Sequence, residues 1–245
     1  MNPNTYTIPK NEIQLWWFNL DQTKGIVDEY YSLLNQGEKK IIRKFKTRSL
    51  RDRFTVSRGV LKSLISNYLH IDPAEVEFAL NSHGKPLLSP KQNKINLKFN
   101  ISHSNKRGIY AFTKDKNVGV DIEAIQEYAD LEDVAELCMS DYEKCWFFKL
   151  PKAARCSTFY KVWTVKEAFV KAIGAGLYFP LKNVEVKIDK NYEPDFHAIR
   201  GISDFSRKWN IFPFNTVPNY AASLVTEGGD SKIRNFYLEP SNSNG

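Results

Sequence analysis

Apolar and polar positions along the first half of the chain predict several strands and one long helix. The aliphatic and aromatic run over 11–20 is typical of a buried opening strand. Between 39 and about 70, apolar residues recur at helical spacing in a stripe from Leu50 to Tyr68, and arginines and lysines flank it. Alternating or β-branched runs at 76–80, 97–104, 108–113 and 118–123 predict four further strands.

The second half predicts a similar mixture. Residues 130–150 are expected to be helical, and Thr158 to Ile173 is predicted to form a second long helix that the Gly174/Gly176 pair ends. Strands are predicted near 183–189 and 219–225. Because each half has a long helix plus strands, the sequence predicts an N-terminal half over 1–115 and a C-terminal half over 116–238. The tail 239–245 is expected to be disordered.

Composition and charge limit the classes of function. The 245 residues carry a net charge of +7, which attracts nucleic acid, phosphorylated small molecules or acidic proteins. The three cysteines fit neither a disulfide framework nor a zinc-binding spacing. The chain shows no apolar run that is long enough to cross a membrane, and its start lacks the layout of a secretory signal. A cytoplasmic protein is therefore expected.

Two carboxylates in the run VGVDIE (118–123) are the first candidates for chemistry. Asp121 and Glu123 share one face of the predicted strand, where they repel each other unless a positive group lies between them. Lysine, arginine or a hard cation such as Mg²⁺ would relieve that repulsion. The alternative is a strand end at the surface with two solvated acids.

The helix over 158–173 adds further charged groups. Lys166 falls inside its apolar stripe, where a lysine needs a partner or an exit to water. Glu167 and Lys171 lie four residues apart on the shoulder of that stripe. They form either an ordinary surface pair or a third metal ligand and a phosphate contact.

A polar cluster closes the strand over 97–104. It contains Asn100, Ser102, His103 and Ser104, and its histidine suits a base, a metal ligand or a phosphate donor. A Ser-His nucleophile pair is disfavoured because adjacent strand residues face opposite ways. The glycines form neither a P-loop nor a dinucleotide fingerprint.

Taken in order, these motifs resemble the Sfp-type 4′-phosphopantetheinyl transferases. The resemblance covers about residues 40–180 and includes a helix led by Arg53-Phe54. It rests on the GKP turn (84–86), the FNISHS strand (99–104), the GVDIE strand (119–123) and the W-x-x-KE-A-x-x-K helix (163–171). It implies an α+β pseudo-dimer of two similar α/β halves, with the active site between them. The implied reaction transfers 4′-phosphopantetheine from coenzyme A to a serine of an acyl or peptidyl carrier protein.

The resemblance also implies roles for individual residues. Asp121, Glu123 and Glu167 would hold Mg²⁺, with Mn²⁺ as the alternative, and Asp121, Glu167 and Lys171 would be catalytic. An acidic carrier protein is the expected macromolecular partner. Binding to nucleic acid or to a membrane is not expected, and the protein is expected to be a monomer. The expected coenzyme A contacts are Arg43, Arg53, Lys85, Pro86, Asn100, Ser102, His103, Lys166 and Lys171.

Two other classes of function remain open at this point. Paired acids near a lysine on a basic protein would suit a metal-dependent nuclease, which plasmid nicking with Mg²⁺ would reveal. A non-enzymatic module that binds coenzyme A or nucleic acid is the second alternative. In that case Asp121→Ala would leave ligand binding intact, and no group would be transferred.

Overall fold

The computed structural model describes residues 6–81, 86–201, 209–214 and 217–238. After the first strand, its elements follow one another in runs of helices and runs of strands. In order they are β1 (Glu12–Asn19), α1 (Lys24–Ser32), α2 (Gln36–Ile42), α3 (Arg48–Leu69), β2 (Phe78–Leu80), β3 (Pro86–Leu88), β4 (Leu97–Ser104), β5 (Arg107–Lys114), β6 (Val118–Ala124), α4 (Leu131–Cys138), α5 (Asp141–Phe147), α6 (Lys152–Ile173), β7 (Val184–Ile188), β8 (Pro194–Ile199), β9 (Trp209–Phe214), β10 (Tyr220–Glu227) and β11 (Lys232–Leu238).

Most of the predicted elements are present, and the differences have local causes. The helix predicted over 130–150 is two helices, because Ser140 and Glu143 form a capping box that starts α5. The segment from 39 to 70 also divides, and Thr47 caps α3. The helix α6 ends where Gly174 adopts a left-handed conformation, with φ of 70°. The elements α1, β3, β8, β9 and β11 were not predicted.

The chain folds into four layers, in the order α3, first sheet, second sheet, α6. The first sheet has the strand order β11-β1-β5-β4 and the second has β6-β10-β9. On β1, Trp16 and Phe18 pack in one core with the apolar face of α3. Leu15 lies on the opposite face of β1, in a core that it shares with Val120 of β6 and Leu224 of β10. The predicted α+β architecture with two halves is thus confirmed.

The two sheets meet at a seam between their edge strands, β4 and β6. Along this seam three side chains of β4 accept hydrogen bonds from backbone amides of β6. The two residues of each bond are 20 positions apart in the sequence, and this constant separation means that the two strands run parallel. The bonds are Val120 N to Asn100 Oδ1 (2.8 Å), Ile122 N to Ser102 Oγ (3.3 Å) and Ala124 N to Ser104 Oγ (3.0 Å).

The last strand returns to the first half of the molecule. β11 pairs in parallel with β1, in a register that runs from Glu12 opposite Lys232 to Phe18 opposite Leu238. The division at 1–115 and 116–238 stays a prediction, but it does not describe this strand. The predicted tail 239–245 lies outside the described residues. Within the described ranges, none of the helices has the length and apolarity that crossing a membrane requires.

Candidate active site

The close packing of α6 on β6 depends on Gly119. A Cβ atom at this position would lie 1.9 Å from the carbonyl oxygen of Ala168 and 2.5 Å from the backbone nitrogen of Ala172. The glycine therefore lets the helix backbone approach the strand. Two residues further along the same face of β6, Asp121 reaches Lys171 of α6.

A cavity of about 320 Å³ opens beside this contact, between β4, β6 and α6. A slightly larger cavity of about 340 Å³ lies near β3 but is lined mainly by apolar and amide side chains. A third cavity of about 390 Å³, between α4 and the start of α6, is larger still and is lined by the charged side chains of Glu127, Glu132, Lys152 and Arg155. The first cavity is the candidate site because three carboxylates and one lysine from β6 and α6 line it together. Its walls are Ile101, Ser102, His103, Asp121, Glu123, Trp163, Glu167 and Lys171.

Asp121 is the buried centre of this site, with 2% of its surface exposed. Its Oδ1 atom accepts hydrogen bonds from Lys171 Nζ at 2.6 Å and from Ser102 Oγ at 2.8 Å. Its Oδ2 atom is buried and has no hydrogen-bond partner in the described part of the chain. A buried carboxylate oxygen without a partner costs free energy, so an additional positive ligand would be stabilised there.

The other two carboxylates are half-buried and electrostatically linked to Asp121. Burial is the main cause that raises the pKa of Glu167, and the charges of Asp121 and Glu123 raise it further. The pKa of Glu123 is also raised, mainly by burial, although Ser104 Oγ donates a hydrogen bond to Glu123 Oε2 at 2.8 Å. The site therefore holds more negative charge than Lys171 neutralises.

His103 stands at the rim of the cavity and is exposed as a whole. Protein atoms around its ring, followed by the Lys171 ammonium, lower the pKa of His103. A lowered pKa favours the neutral ring, in which one nitrogen carries an N–H donor.

The structure brings together Asp121, Glu123, Glu167 and Lys171 with Ser102 and His103. Asn100 is buried at the seam, where Oδ1 binds Val120 N. The coenzyme A contacts predicted for Arg43, Arg53, Pro86 and Asn100 stay predictions, and Lys85 lies outside the described residues. Arg43 is the exposed C-cap of α2, Arg53 is paired with Asp21 at 2.6 Å, and Pro86 is the first residue of β3.

The expectation that Lys166 contacts coenzyme A is wrong. Its side chain is 1% exposed, and its Nζ donates to Glu143 Oε2 at 2.5 Å. The sequence indicated that this lysine needs a partner, but it gave no signal that the partner is Glu143. Trp163 was named in the motif without a role, and its place in the cavity follows from its position one turn before Glu167.

The donor set suits a hard divalent cation. Three carboxylates surround one cavity, and one buried oxygen of Asp121 has no hydrogen-bond partner among the described residues. Among the described residues, no three His, Cys, Asp or Glu side chains already converge as a metal site. Lys171 instead occupies Asp121 Oδ1, so the carboxylates have the chemistry of a metal site without its closed geometry.

Comparisons with known proteins agree with the resemblance in the motifs. The family model of the 4′-phosphopantetheinyl transferase superfamily matches residues 117–225, and the model of the N-terminal part of 4′-phosphopantetheinyl transferases matches 22–113. A solved holo-(acyl-carrier-protein) synthase from Bacillus anthracis shares 19% identity over 46% of this chain and 96% of that chain. Its TM-score of 0.38 is too low to carry an argument.

Two 4′-phosphopantetheinyl transferases match most of the chain. The 4′-phosphopantetheinyl transferase HetI of Nostoc sp. is 31% identical over 76% of this chain and 78% of its own length. The 4′-phosphopantetheinyl transferase Sfp of Bacillus subtilis is 26% identical over 70% of this chain and 76% of its own length. The matches to both halves and to HetI show that this chain belongs to the 4′-phosphopantetheinyl transferase superfamily.

Proposed function

We propose that this protein transfers the 4′-phosphopantetheine group of coenzyme A to a serine hydroxyl of an acyl or peptidyl carrier protein. The observation that carries the proposal is the cavity in which Asp121, Glu123 and Glu167 face Lys171. A diphosphate needs such a mixture, because cationic groups must neutralise it while a base activates the attacking hydroxyl. The product released is adenosine 3′,5′-bisphosphate.

Asp121, Glu123 and Glu167 are proposed to hold Mg²⁺, or Mn²⁺ in its place. The buried Oδ2 atom of Asp121 without a hydrogen-bond partner in the described chain supports this role, as do the raised pKa values of Glu123 and Glu167. When bound, the ion supplies charge neutralisation at the pyrophosphate. The affinity of this site for either metal can be measured independently of the transfer reaction.

Glu167 is proposed to accept the proton of the serine hydroxyl. Its raised pKa makes it a stronger base than an ordinary carboxylate. The serine oxygen then bonds to the phosphorus that carries the pantetheine arm, and the bond from that phosphorus to the bridging oxygen breaks. The leaving bisphosphate keeps the bridging oxygen and the electron pair of that bond.

Lys171 is proposed to stabilise the charge that develops on the leaving oxygens. Its Nζ is held 2.6 Å from Asp121 Oδ1 and 3.0 Å from Ser102 Oγ, so the ammonium is fixed before substrate binds. The neutral ring of His103 is proposed to donate its N–H to a phosphate oxygen of the nucleotide.

The remaining coenzyme A contacts are proposed for Arg43, Arg53, Lys85, Pro86, Asn100 and Ser102. Arg53 pairs with Asp21, whose carboxylate also lies 3.6 Å from Lys106 Nζ. A phosphate that replaces this carboxylate would meet two cations. The net charge of +7 supports an acidic carrier protein as partner. A cytoplasmic monomer that binds neither nucleic acid nor membranes completes the proposal.

The direct test is to incubate the protein with an apo carrier protein, coenzyme A and Mg²⁺, and to weigh the carrier by mass spectrometry. A gain equal to phosphopantetheine is expected for the wild-type protein and is lost with Glu167→Ala. The exposed carboxylate of Asp28 on α1 provides the control, since Asp28→Ala should transfer at the wild-type rate. Plasmid nicking, or coenzyme A binding without any mass gain, would replace the proposal by one of its alternatives.

A further inference from the structure

Lys166 belongs to a buried ion pair with every ammonium hydrogen engaged. The side chains of Lys166 and Glu143 are 1% and 0% exposed. Lys166 Nζ donates to Glu143 Oε2 at 2.5 Å, and to the carbonyl oxygens of Cys138 at 3.2 Å and Leu181 at 3.1 Å. Glu143 Oε1 also accepts a hydrogen bond from Val186 N at 2.8 Å. We call Glu143 and Lys166 the C-terminal clamp, because they tie α6 to α4, α5 and β7.

The first half contains the same device on α3. Lys62 is fully buried and donates to the carbonyl oxygens of Leu33 at 2.9 Å and Ala74 at 3.3 Å, while Glu38 Oε2 lies 3.5 Å from its Nζ. We call Glu38 and Lys62 the N-terminal clamp.

Sequence positions relate the two clamps closely. Lys62 and Lys166 each lie fourteen residues after the first residue of a 22-residue helix, Arg48 and Lys152 respectively.

The glutamates also correspond. Each is the N3 residue of a seven-residue helix and closes a capping box there, with Asn35 in α2 and with Ser140 in α5. In both halves, a carbonyl two residues before that N-cap accepts from the lysine. The two halves therefore repeat a buried lysine–glutamate pair that the letters of the sequence do not reveal.

The residues that follow the two lysines differ in chemistry. Lys166 is followed by Glu167, which lines the cavity, whereas Lys62 is followed by Ser63. Adjacent residues of an α-helix point about 100° apart, so the direction of one fixes the direction of the next. A rotation of α6 that released Lys166 from Glu143 would therefore turn Glu167 away from Asp121.

We propose that Glu143 and Lys166 are positioning residues of the transfer reaction, which hold α6 at the rotation that points Glu167 into the cavity. The inference rests on the proposed function. The N-terminal clamp is the corresponding buried pair without a reactive neighbour, so it is expected to contribute to stability alone. Its contact is longer, at 3.5 Å, and Glu38 also pairs with Arg58 Nε at 3.4 Å. The matched variants of this clamp therefore separate a positioning effect from a loss of stability.

The test compares Glu143→Gln with Glu38→Gln, and the milder pair Glu143→Asp with Glu38→Asp. Circular dichroism first sets a temperature at which each variant is folded, and the aspartate pair decides if a glutamine variant does not fold. All four variants are expected to unfold at lower denaturant concentration than the wild type, because each disturbs a buried ion pair. The kinetic comparison uses saturating coenzyme A and carrier protein.

A positioning role predicts a loss of kcat in only one half. The Glu143 variants should lower kcat roughly 10- to 100-fold, with the KM for coenzyme A within about twofold of wild type, because only the geometry of the reacting groups changes. Glu143→Asp, which keeps the carboxylate, should recover part of the kcat lost in Glu143→Gln. The Glu38 variants should keep kcat within about twofold of wild type.

Two results would overturn the inference and point to different causes. In the first, the wild-type protein transfers phosphopantetheine, but the Glu143 and Glu38 variants change kcat equally or not at all. The C-terminal clamp then has no positioning role. If the wild-type protein transfers no group to any carrier, the proposed function fails and the inference fails with it.

Discussion

Ser102 of β4 donates a 2.8 Å hydrogen bond from Oγ to Asp121 Oδ1 of β6, and this bond joins the two halves of the molecule inside the site. The same Oγ accepts from Ile122 N at 3.3 Å and from Lys171 Nζ at 3.0 Å. One hydroxyl thus uses its single donor and both acceptor positions. The N-terminal half orients a carboxylate and an ammonium that both belong to the C-terminal half.

Replacing this hydroxyl should destabilise the protein and slow the reaction. Ser102→Ala leaves the buried amide of Ile122 without its partner, which costs about 1–3 kcal/mol of unfolding free energy. Urea denaturation measures this change, and exposed Ser157→Ala serves as the control with no expected change. An unchanged unfolding midpoint for Ser102→Ala would show that the seam does not hold the two halves together.

A methyl group at Gly119 should separate α6 from β6. The Cβ of Gly119→Ala would lie 1.9 Å from a backbone oxygen that cannot move without the helix, so a loss of about 3 kcal/mol and of transfer activity is expected. Gly25→Ala is the matched control, because no atom lies within 4 Å of a Cβ there. Denaturation and the carrier mass assay together check the prediction, and wild-type activity in Gly119→Ala would contradict it.

Asp121→Asn should abolish the stabilisation of the folded protein by Mg²⁺. In the wild type, excess MgCl₂ should raise the thermal midpoint relative to EDTA at matched ionic strength, because a ligand that binds only the folded state stabilises it. Asp121→Asn should lose this rise and slow transfer roughly 10²- to 10³-fold. The exposed control Asp28→Asn should keep both properties. A Mg²⁺-dependent rise that survives in Asp121→Asn would remove this residue from the metal site.

Glu167 should make the protein less stable at neutral pH when no metal is present. Its folded-state pKa is raised from an ordinary value of 4.5, so between these two values the folded state binds more protons than the unfolded state. Stability conferred by the protonated form is present below 4.5 and is lost as the pH rises through the raised pKa. Glu167→Gln in EDTA should therefore raise the unfolding midpoint at neutral pH but not below 4.5, while it abolishes transfer.

Denaturation curves at the two pH values check this sign. The exposed Glu77 provides the comparison, because Glu77→Gln should shift the midpoint equally at both. A lower midpoint for Glu167→Gln at neutral pH would mean that the carboxylate stabilises the fold.

The sequence predicted the strands that carry the site because their patterns are local. The alternation in LKFNISHS and the β-branched run in VGVDIE each fix which side chains share a face, and β4 and β6 occur where these patterns place them. The stripe of α6 likewise placed Glu167 and Lys171 on one shoulder. These signals place Asp121 and Glu123 on one face of a strand, and Glu167 with Lys171 on one side of a helix. That the two sets meet in one cavity was expected only from the resemblance to the transferase family.

Contacts between distant segments could not be predicted in this way. No local pattern tells that Glu143 pairs with Lys166, because the pairing depends on how α5 packs on α6. Asn100 and Ser102 were expected to contact coenzyme A, but no local pattern predicts that they and Ser104 also accept hydrogen bonds from the backbone of β6. The strand β11 pairs with a partner more than 200 residues away, and its polar sequence shows little strand alternation.

The pairing of the last strand with the first has a consequence for biosynthesis. The sheet that supports Ser102 gains its outer strand only after residue 238 has been made, since β11 lies beside β1. During translation, the side of β1 that later pairs with β11 stays unpaired until the remainder of the chain has been synthesised. The first half of the protein is therefore completed last. A truncated or stalled chain would expose β1 as an edge strand, whose unpaired backbone groups promote aggregation with other chains.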